Sequence, residues 1–393
     1  MSFEQPYAGL KVVDLSQGVA GPYCAMLLGR QGADVIKIEP PDGDWSRKLE
    51  PSYGDNTAFS IAANLGKRAI AVDVKSERGR AIVDELLAGA DVFLEGFRPG
   101  VIDRLGFSYE RLSQMVPGLI YVSVSGFGQI GPLKDKPAMD PILQAFTGFM
   151  SENTGEDGIP HRSPTIVNDM STALYATQAV AAALYARRDD ARRRGRRITI
   201  SLMEASANLQ CIRLMGAVHE GTFKRSMVPN GTFVTGDGFL QLIVLRDGDF
   251  QKLREVLDDD AITNDRRFDK AEGRLEHGDE LTALINGVLK TRPGAYWRDK
   301  MTAAGLQNEV VQSYREFAHH PQVEATDLIS WLVQPGADDP WAVANVPTLP
   351  PPAAGSADAL APRVGHHTRE VLTELGYGMD EIDALAADGI IGL

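Results

Sequence analysis

Cysteine is nearly absent: Cys24 and Cys211 are the only two in 393 residues. A disulfide framework is therefore excluded, and the chain reads as a reduced, cytoplasmic protein. The first residues, Met1 to Pro6, carry neither a basic stretch nor an apolar signal core. No apolar run approaches the ~20 residues that a membrane-spanning helix needs, because the longest candidate, after Asp169, is rich in alanine and interrupted by threonine, glutamine and tyrosine. Positive charge is not in excess either. Lys and Arg number 40 against 53 Asp and Glu, for a net charge of −13. That balance argues against nucleic acid or an anionic membrane as partner, although one pocket can still be locally basic. No internal repeat and no metal-ligand cluster stands out. What remains is 44% hydrophobic and 24% charged residues over a length that suggests about two domains, so a large soluble protein with a sizeable core is expected.

The pattern along the chain is α/β. Apolar strand-like runs at 10–15, 34–39, 69–73, 91–95 and 119–125 alternate with helical stretches at 23–30, 77–88 and 101–105. Short buried strands with intervening helices predict a largely parallel sheet covered on both faces, a Rossmann-like large domain. No GxGxxG follows the first strand. The glycines at Gly18 and Gly21 permit a tight turn before a helix, but their spacing is wrong for the dinucleotide fingerprint, which disfavours a nicotinamide enzyme. After a helix at 170–185, a strand at 198–202 and a helix at 203–218, the character changes. A hairpin at 230–245 with a Gly236-Asp237-Gly238 turn, followed by short amphipathic helices, predicts a smaller α+β domain. The expected division is a large domain over 1–205, a linker helix over 206–222, a small domain over 223–325, an extended proline-rich connection over 326–360, and a tail over 361–393 that returns to the large domain.

Two features invite functional attention. The arginine-rich stretch 186–197 could hold phosphate, but a solvated helix end and turn explains it better, since cations are favoured near a helix C-terminus. Asp169 closes the polar segment 163–168 and opens the helix at 170–185. A carboxylate there serves as an N-cap, or it is presented for chemistry.

The wider pattern bears on that choice. Gly21-Pro22, the segment Asp34 to Pro41 with Gly43, Asp44 and Arg47, Asn64 to Arg68, Glu95 to Gly100 with Arg104-Leu105-Gly106, and Gly126, Gly128, Gly131 and Pro132 follow one another in an order and spacing that resembles class III CoA-transferases. That is the carnitine-dehydratase and formyl-CoA-transferase family. The tail at 365–377 is similar to the family's closing motif, and the resemblance covers nearly the whole chain. Two departures stand out. His366 replaces a usually acidic residue, and the glycine-rich loop of formyl-CoA transferases is not apparent after Asn230, which counts against oxalate and formate.

The resemblance implies that Asp169 is a nucleophile that carries CoA from an acyl-CoA to a small carboxylic acid through an aspartyl anhydride and an aspartyl-CoA thioester. A carboxylate suits this role, since aspartate is ordinarily ionised at neutral pH and needs no adjacent base. Coenzyme A would be a substrate rather than a tightly bound cofactor. The matching positions for its binding are Val19, Ala20, Asp73, Lys75, Gly96, Phe97, Arg98, Arg104 and Lys136, where cations suit phosphates. Gln17, Met139 and Asp140 match the substrate pocket. An interlocked homodimer is also implied. The alternatives are a 2-methylacyl-CoA racemase, whose pattern has histidine where this chain has Met139, and a noncatalytic CoA-binding protein. Methionine cannot exchange a proton.

Overall fold

The computed structural model describes residues 5–49, 51–155, 158–221 and 226–393. The expected starting segment, and the expected domain junction at 222–223, lie partly outside the described residues. The chain divides into two units, residues 1–214 with 325–393, and residues 215–324.

The first unit is built on a seven-stranded sheet. Its strands are β1 (Lys11–Asp14), β2 (Asp34–Glu39), β3 (Arg68–Val72), β4 (Val92–Glu95), β5 (Ile120–Ser125), β6 (Arg196–Ser201) and the C-terminal β12 (Ile391–Gly392). Their order is β12-β3-β2-β1-β4-β5-β6. All neighbours are parallel except β12, which pairs antiparallel with β3. The direction of winding reverses between β1 and β4. In open α/β sheets a crevice forms at that switch point, outside the carboxyl ends of the strands.

Alternation along each strand divides the core in two. Val13, Ile36, Ile38, Ile70, Phe93 and Tyr121 face one side with α3 (Glu77–Ala88), α4 (Val101–Arg104), α5 (Tyr109–Met115) and the tail helices Thr368–Glu374 and Met379–Ala387. Val12, Val35, Val92, Leu94, Ile120 and Val122 face the other side with α1 (Ala20–Arg30), α6 (Asp140–Phe146), α7 (Val167–Asp189) and α8 (Leu202–Leu209). Burial on both faces is why these strands read as continuous apolar runs rather than alternating ones. Pro22 sits in the first turn of α1, the one place where a helix tolerates the missing N–H. The buried residues of α7 include Ala173, Ala176, Val180 and Ala183, a small-residue stripe at helical spacing that lets α7 lie close against α1.

Several expectations need correction. The helix expected at 170–185 spans Val167–Asp189. The helix expected at 203–218 is two, α8 and α9 (Cys211–Glu220), broken at Gln210. Helix α2 (Ala58–Asn64) was not anticipated. The expected extended connection at 326–360 contains an antiparallel pair, β10 (Ile329–Leu332) and β11 (Trp341–Ala344), because residues at 329–332 and 341–344 satisfy each other's backbone groups despite the surrounding prolines. The second unit has a three-stranded antiparallel sheet, β7 (Asn230–Val234), β8 (Phe239–Ile243) and β9 (Gln307–Val310). Its helices close a core that includes Phe233, Leu240, Phe250, Phe268, Leu281 and Trp297. No helix among the described residues is long and apolar enough to cross a membrane.

Candidate active site

The loops that follow β1, β4 and β5 meet at the switch point and enclose a cleft of about 770 Å³. The β1 loop contributes Gln17, Val19 and Ala20; the β4 loop contributes Gly96, Phe97 and Arg98. Asp169 reaches the same cleft from the first turn of α7. Residues far apart in sequence thus converge because parallel strands present their carboxyl ends side by side.

Asp169 is not the helix cap that its sequence position suggested. The helix starts two residues earlier, Ile166 is the flanking residue, and it makes no side-chain cap. The cap comes from a different helix. The Asp140 carboxylate accepts hydrogen bonds from the backbone N–H of Asn168 at 2.7 Å and of Asp169 at 3.2 Å. The Gln144 amide donates to the other Asp140 oxygen at 2.6 Å, and Gln144 also binds the backbone of Ser163 at both its N–H and its carbonyl. Asn168 donates to the Asp140 backbone carbonyl at 3.0 Å. The cross-helix cap leaves the Asp169 side chain free to turn into the cleft.

This arrangement also changes the acidity of Asp169. Burial, and then the neighbouring Asp140 charge, push its carboxyl up to about 7 from the ordinary 3.8, while a hydrogen bond from the Ala20 backbone opposes the shift. The expectation of a fully ionised aspartate at neutral pH is therefore corrected: the free protein holds Asp169 in both states near pH 7. Glu95, buried at the end of β4, is likewise pushed up to about 7 by burial. It accepts the Phe97 N–H at 2.9 Å and so shapes the turn that carries Gly96 and Phe97.

Of the expected residues, Gln17, Val19, Ala20, Gly96, Phe97, Arg98, Lys136, Met139 and Asp169 all line the cleft. Asp140 does not; it is 3% exposed and spent on the cap, because its position at the start of α6 faces the N–H groups of α7 rather than the opening. Asp73 and Lys75 also lie outside the lining. They belong to the β3 loop on the far side of β2, where the Asp73 carboxylate accepts the Lys75 N–H at 3.0 Å. Arg104 is outside it too, at the end of α4, although its guanidinium lies beside Gly100, one residue beyond the lining residue Pro99. His161 and His219 are exposed and neither lines the cleft.

Sequence reasoning missed Trp45, Lys134 and Ser125, which line the cleft as well. Ser125 is buried and its hydroxyl has no hydrogen-bond partner among the described residues. Trp45 offered no periodicity to find it by, since it opens a four-residue 3-10 helix, Trp45–Lys48, too short to show a pattern. The Lys136 ammonium stands 5.3 Å from the centre of the Phe127 ring and 6.0 Å from that of Phe146, a placement that holds the cation at the cleft. Arg98, Lys134 and Lys136 make the lining locally basic in a chain whose net charge is −13. Gly126 has no room for a side chain, because a Cβ there would collide with that of Ala138.

The architecture and sequence have known counterparts. Residues 7–368 match the family described as CoA-transferase family III. The acetyl-CoA:oxalate CoA-transferase of Acetobacter aceti is 35% identical over 333 residues, covering 82% of this chain and 85% of that protein. The succinate–glutarate CoA-transferase of Agrobacterium fabrum is 32% identical, covering 94% of this chain and 96% of that protein. Among solved structures, a CAIB/BAIF family protein from Brucella suis superposes with a TM-score of 0.85 at 28% identity, over 95% of this chain and 100% of that one. The parallel sheet, its switch-point cleft and this match over most of the sequence lead to one conclusion: the chain belongs to CoA-transferase family III and is a CoA-transferase.

Proposed function

We propose that Asp169 is the nucleophile that takes the acyl group from an acyl-CoA and passes CoA to a second carboxylic acid. The carrying observation is the convergence of one carboxylate, Asp169, with three cations, Arg98, Lys134 and Lys136, in a single cleft at the switch point. The cations suit the phosphates of CoA, and Phe97 offers a face for its adenine.

The ionised Asp169 oxygen attacks the thioester carbonyl, the C–S bond breaks, and an aspartyl-acyl anhydride and CoA thiolate result. The thiolate then attacks the Asp169 carbonyl and releases the donor acid, leaving an aspartyl-CoA thioester. The acceptor carboxylate attacks this thioester and expels the thiolate again, which takes the new acyl group from the second anhydride and restores Asp169. Bonds of similar reactivity are exchanged at each step, so little driving force is lost. The Ala20 N–H at the start of α1, already directed at Asp169, is placed to stabilise oxyanions that develop on its carbonyl. The raised pKa makes the ionised Asp169 carboxylate a stronger nucleophile than an ordinary aspartate.

Hydroxylamine added with an acyl-CoA should convert Asp169 to its hydroxamate, detectable by peptide mass. Recovery of unmodified Asp169 during active turnover would defeat the mechanism.

The protein is further proposed to work as an interlocked homodimer in the cytoplasm. Helix α9 has no buried residue, yet Ile212, Met215 and Val218 are 81%, 71% and 79% exposed. Such an apolar helix needs a cover. Sedimentation that shows a stable folded monomer would exclude this assembly.

A further inference from the structure

Behind the β1 loop lies a cluster of buried charges that the chemistry above does not use. Asp14, Glu39 and Asp44 carry negative charge; Lys37, Arg47 and Lys67 carry positive charge; all six are nearly inaccessible. They balance in number. Lys37 lies 3.3 Å from Asp44 and 3.9 Å from Asp14, Lys67 lies 2.8 Å from Asp14, and Arg47 lies 2.6 Å from Glu39. Burial works against the charge on Lys37, and the carboxylates of Asp14, Asp44 and Glu39 outweigh it. Burial likewise opposes the charge on Asp14, and Lys37 and Lys67 override it, whereas on Lys67 burial prevails over the Asp14 carboxylate and lowers the ammonium to about 8, still above neutral.

Its hydrogen bonds converge on one stretch of backbone. The Ser16 N–H donates to the Asp14 carboxylate at 3.1 Å, and the Ser16 carbonyl accepts from the Lys37 ammonium. The Gly18 N–H donates to both oxygens of Asp44, at 3.2 and 3.1 Å. Gln17, which lines the cleft, is therefore clamped through the residues on either side of it. Lys67 extends the grip to α1 by donating to the Pro22 carbonyl at 2.7 Å, and α1 is the helix whose Ala20 N–H meets Asp169. Asp44 also caps the short turn that carries Trp45, by accepting the Ser46 N–H at 2.9 Å. The indole then packs on Gly18 so closely that a Cβ there would lie 2.5 Å from Trp45 Cζ2, and Gly18 has a φ of +79°.

We infer that the Lys37–Asp44 pair and its buried partners are positioning residues, which hold the segment from Ser16 to Ala20 and the Trp45 ring as a rigid wall against the acyl group on Asp169. Buried ion pairs are poor sources of stability, because desolvation offsets their attraction. A cluster of six is better accounted for by the geometry it imposes. A rigid wall would keep water from the anhydride and thioester, each of which hydrolyses if exposed.

This inference rests on Asp169 as nucleophile, and the experiment separates the two. Two variants of the full-length protein are measured: K37M/D44A, which removes one charge of each sign, and G18A, which keeps all six charges but displaces Trp45 and the loop that Asp44 holds. Both should lose about 10²-fold in kcat. Their KM for acyl-CoA should stay within about twofold of the native value, since the basic lining is untouched. The fraction of acyl-CoA hydrolysed rather than transferred should rise. R187M serves as the structural control. Arg187 is bound to Asp91 and to the Gly118 carbonyl at the far end of α7, so its loss should lower Tm without changing kcat or the hydrolysed fraction. Native kcat and native hydrolysis in either K37M/D44A or G18A overturns the inference; if K37M/D44A does not fold, G18A alone decides. Transfer activity retained in D169A defeats the nucleophile assignment instead.

Discussion

Replacing Asp169 by asparagine should make the protein more stable as it makes it inactive, and the gain should depend on pH in a way the structure specifies. The carboxyl is ordinarily deprotonated above 3.8, while in the folded protein burial and Asp140 hold it to about 7. Below the unfolded value both states bind the proton and the site has no effect. As pH rises toward about 7 the unfolded chain ionises first, the folded state retains its proton, and folding stability falls. Above about 7 the loss is complete and constant. A shift from 3.8 to about 7 corresponds to about 4 kcal/mol if fully expressed. Asp169 retains some solvent contact, which reduces the expected gain to about 2 kcal/mol. Asparagine keeps an oxygen for the Ala20 N–H but carries no charge, so the D169N variant escapes the loss. Urea unfolding of both proteins at fixed concentration, at pH 4.5 and pH 8, should give a small difference at the lower pH and the larger one at the higher. The same variant should lose at least about 10³-fold in kcat. A stability difference that does not change with pH would refute the burial argument.

The D140N variant should shift the acidic limb of kcat/KM, which otherwise rises through about pH 7, to lower pH, because it removes a charge that opposes Asp169 ionisation. It should also cost about 1–3 kcal/mol in unfolding, since an amide cannot accept from both Gln144 and the α7 backbone. The R98A variant should raise KM for acyl-CoA about tenfold with kcat nearly unchanged, as expected for lost uniform binding of a phosphate; steady-state kinetics against acyl-CoA checks this, and an unchanged KM would remove Arg98 from the CoA path. Incubation with one epimer of a 2-methylacyl-CoA in deuterated water should give no α-deuterium by NMR, because Met139 stands in the cleft where a racemase would need histidine, and among the described residues no histidine lines it. Rapid exchange would favour the racemase.

Much of the architecture was legible in the chain. Strands β2 and β5 were readable within a residue or so, because burial on both faces keeps most of their positions apolar, with Lys37, Glu39, Ser123 and Ser125 as buried polar exceptions. The helix Glu77–Ala88 was readable at both ends, where Ser76 accepts the Gly79 N–H and Gly89 follows the last turn. Residues 329–344 misled, since the strands there are short and separated by prolines, and only their pairing makes them strands. The β12 edge strand has two residues and no pattern of its own.

The sequence by itself determined the layered α/β class, the family and the set of loops that carry Gln17, Phe97, Arg98, Lys136 and Asp169, because periodicity and motif order are local properties of the chain. Only the tertiary structure decided what those residues do to one another. It moved Asp140 from the pocket to the cap of α7 and raised the pKa of Asp169 by burial. It also brought Trp45 into the cleft and left Asp73 and Lys75 outside it. Burial, charge proximity and side-chain direction depend on which segments meet in space, and the sequence order of those segments does not encode that meeting in any short-range pattern.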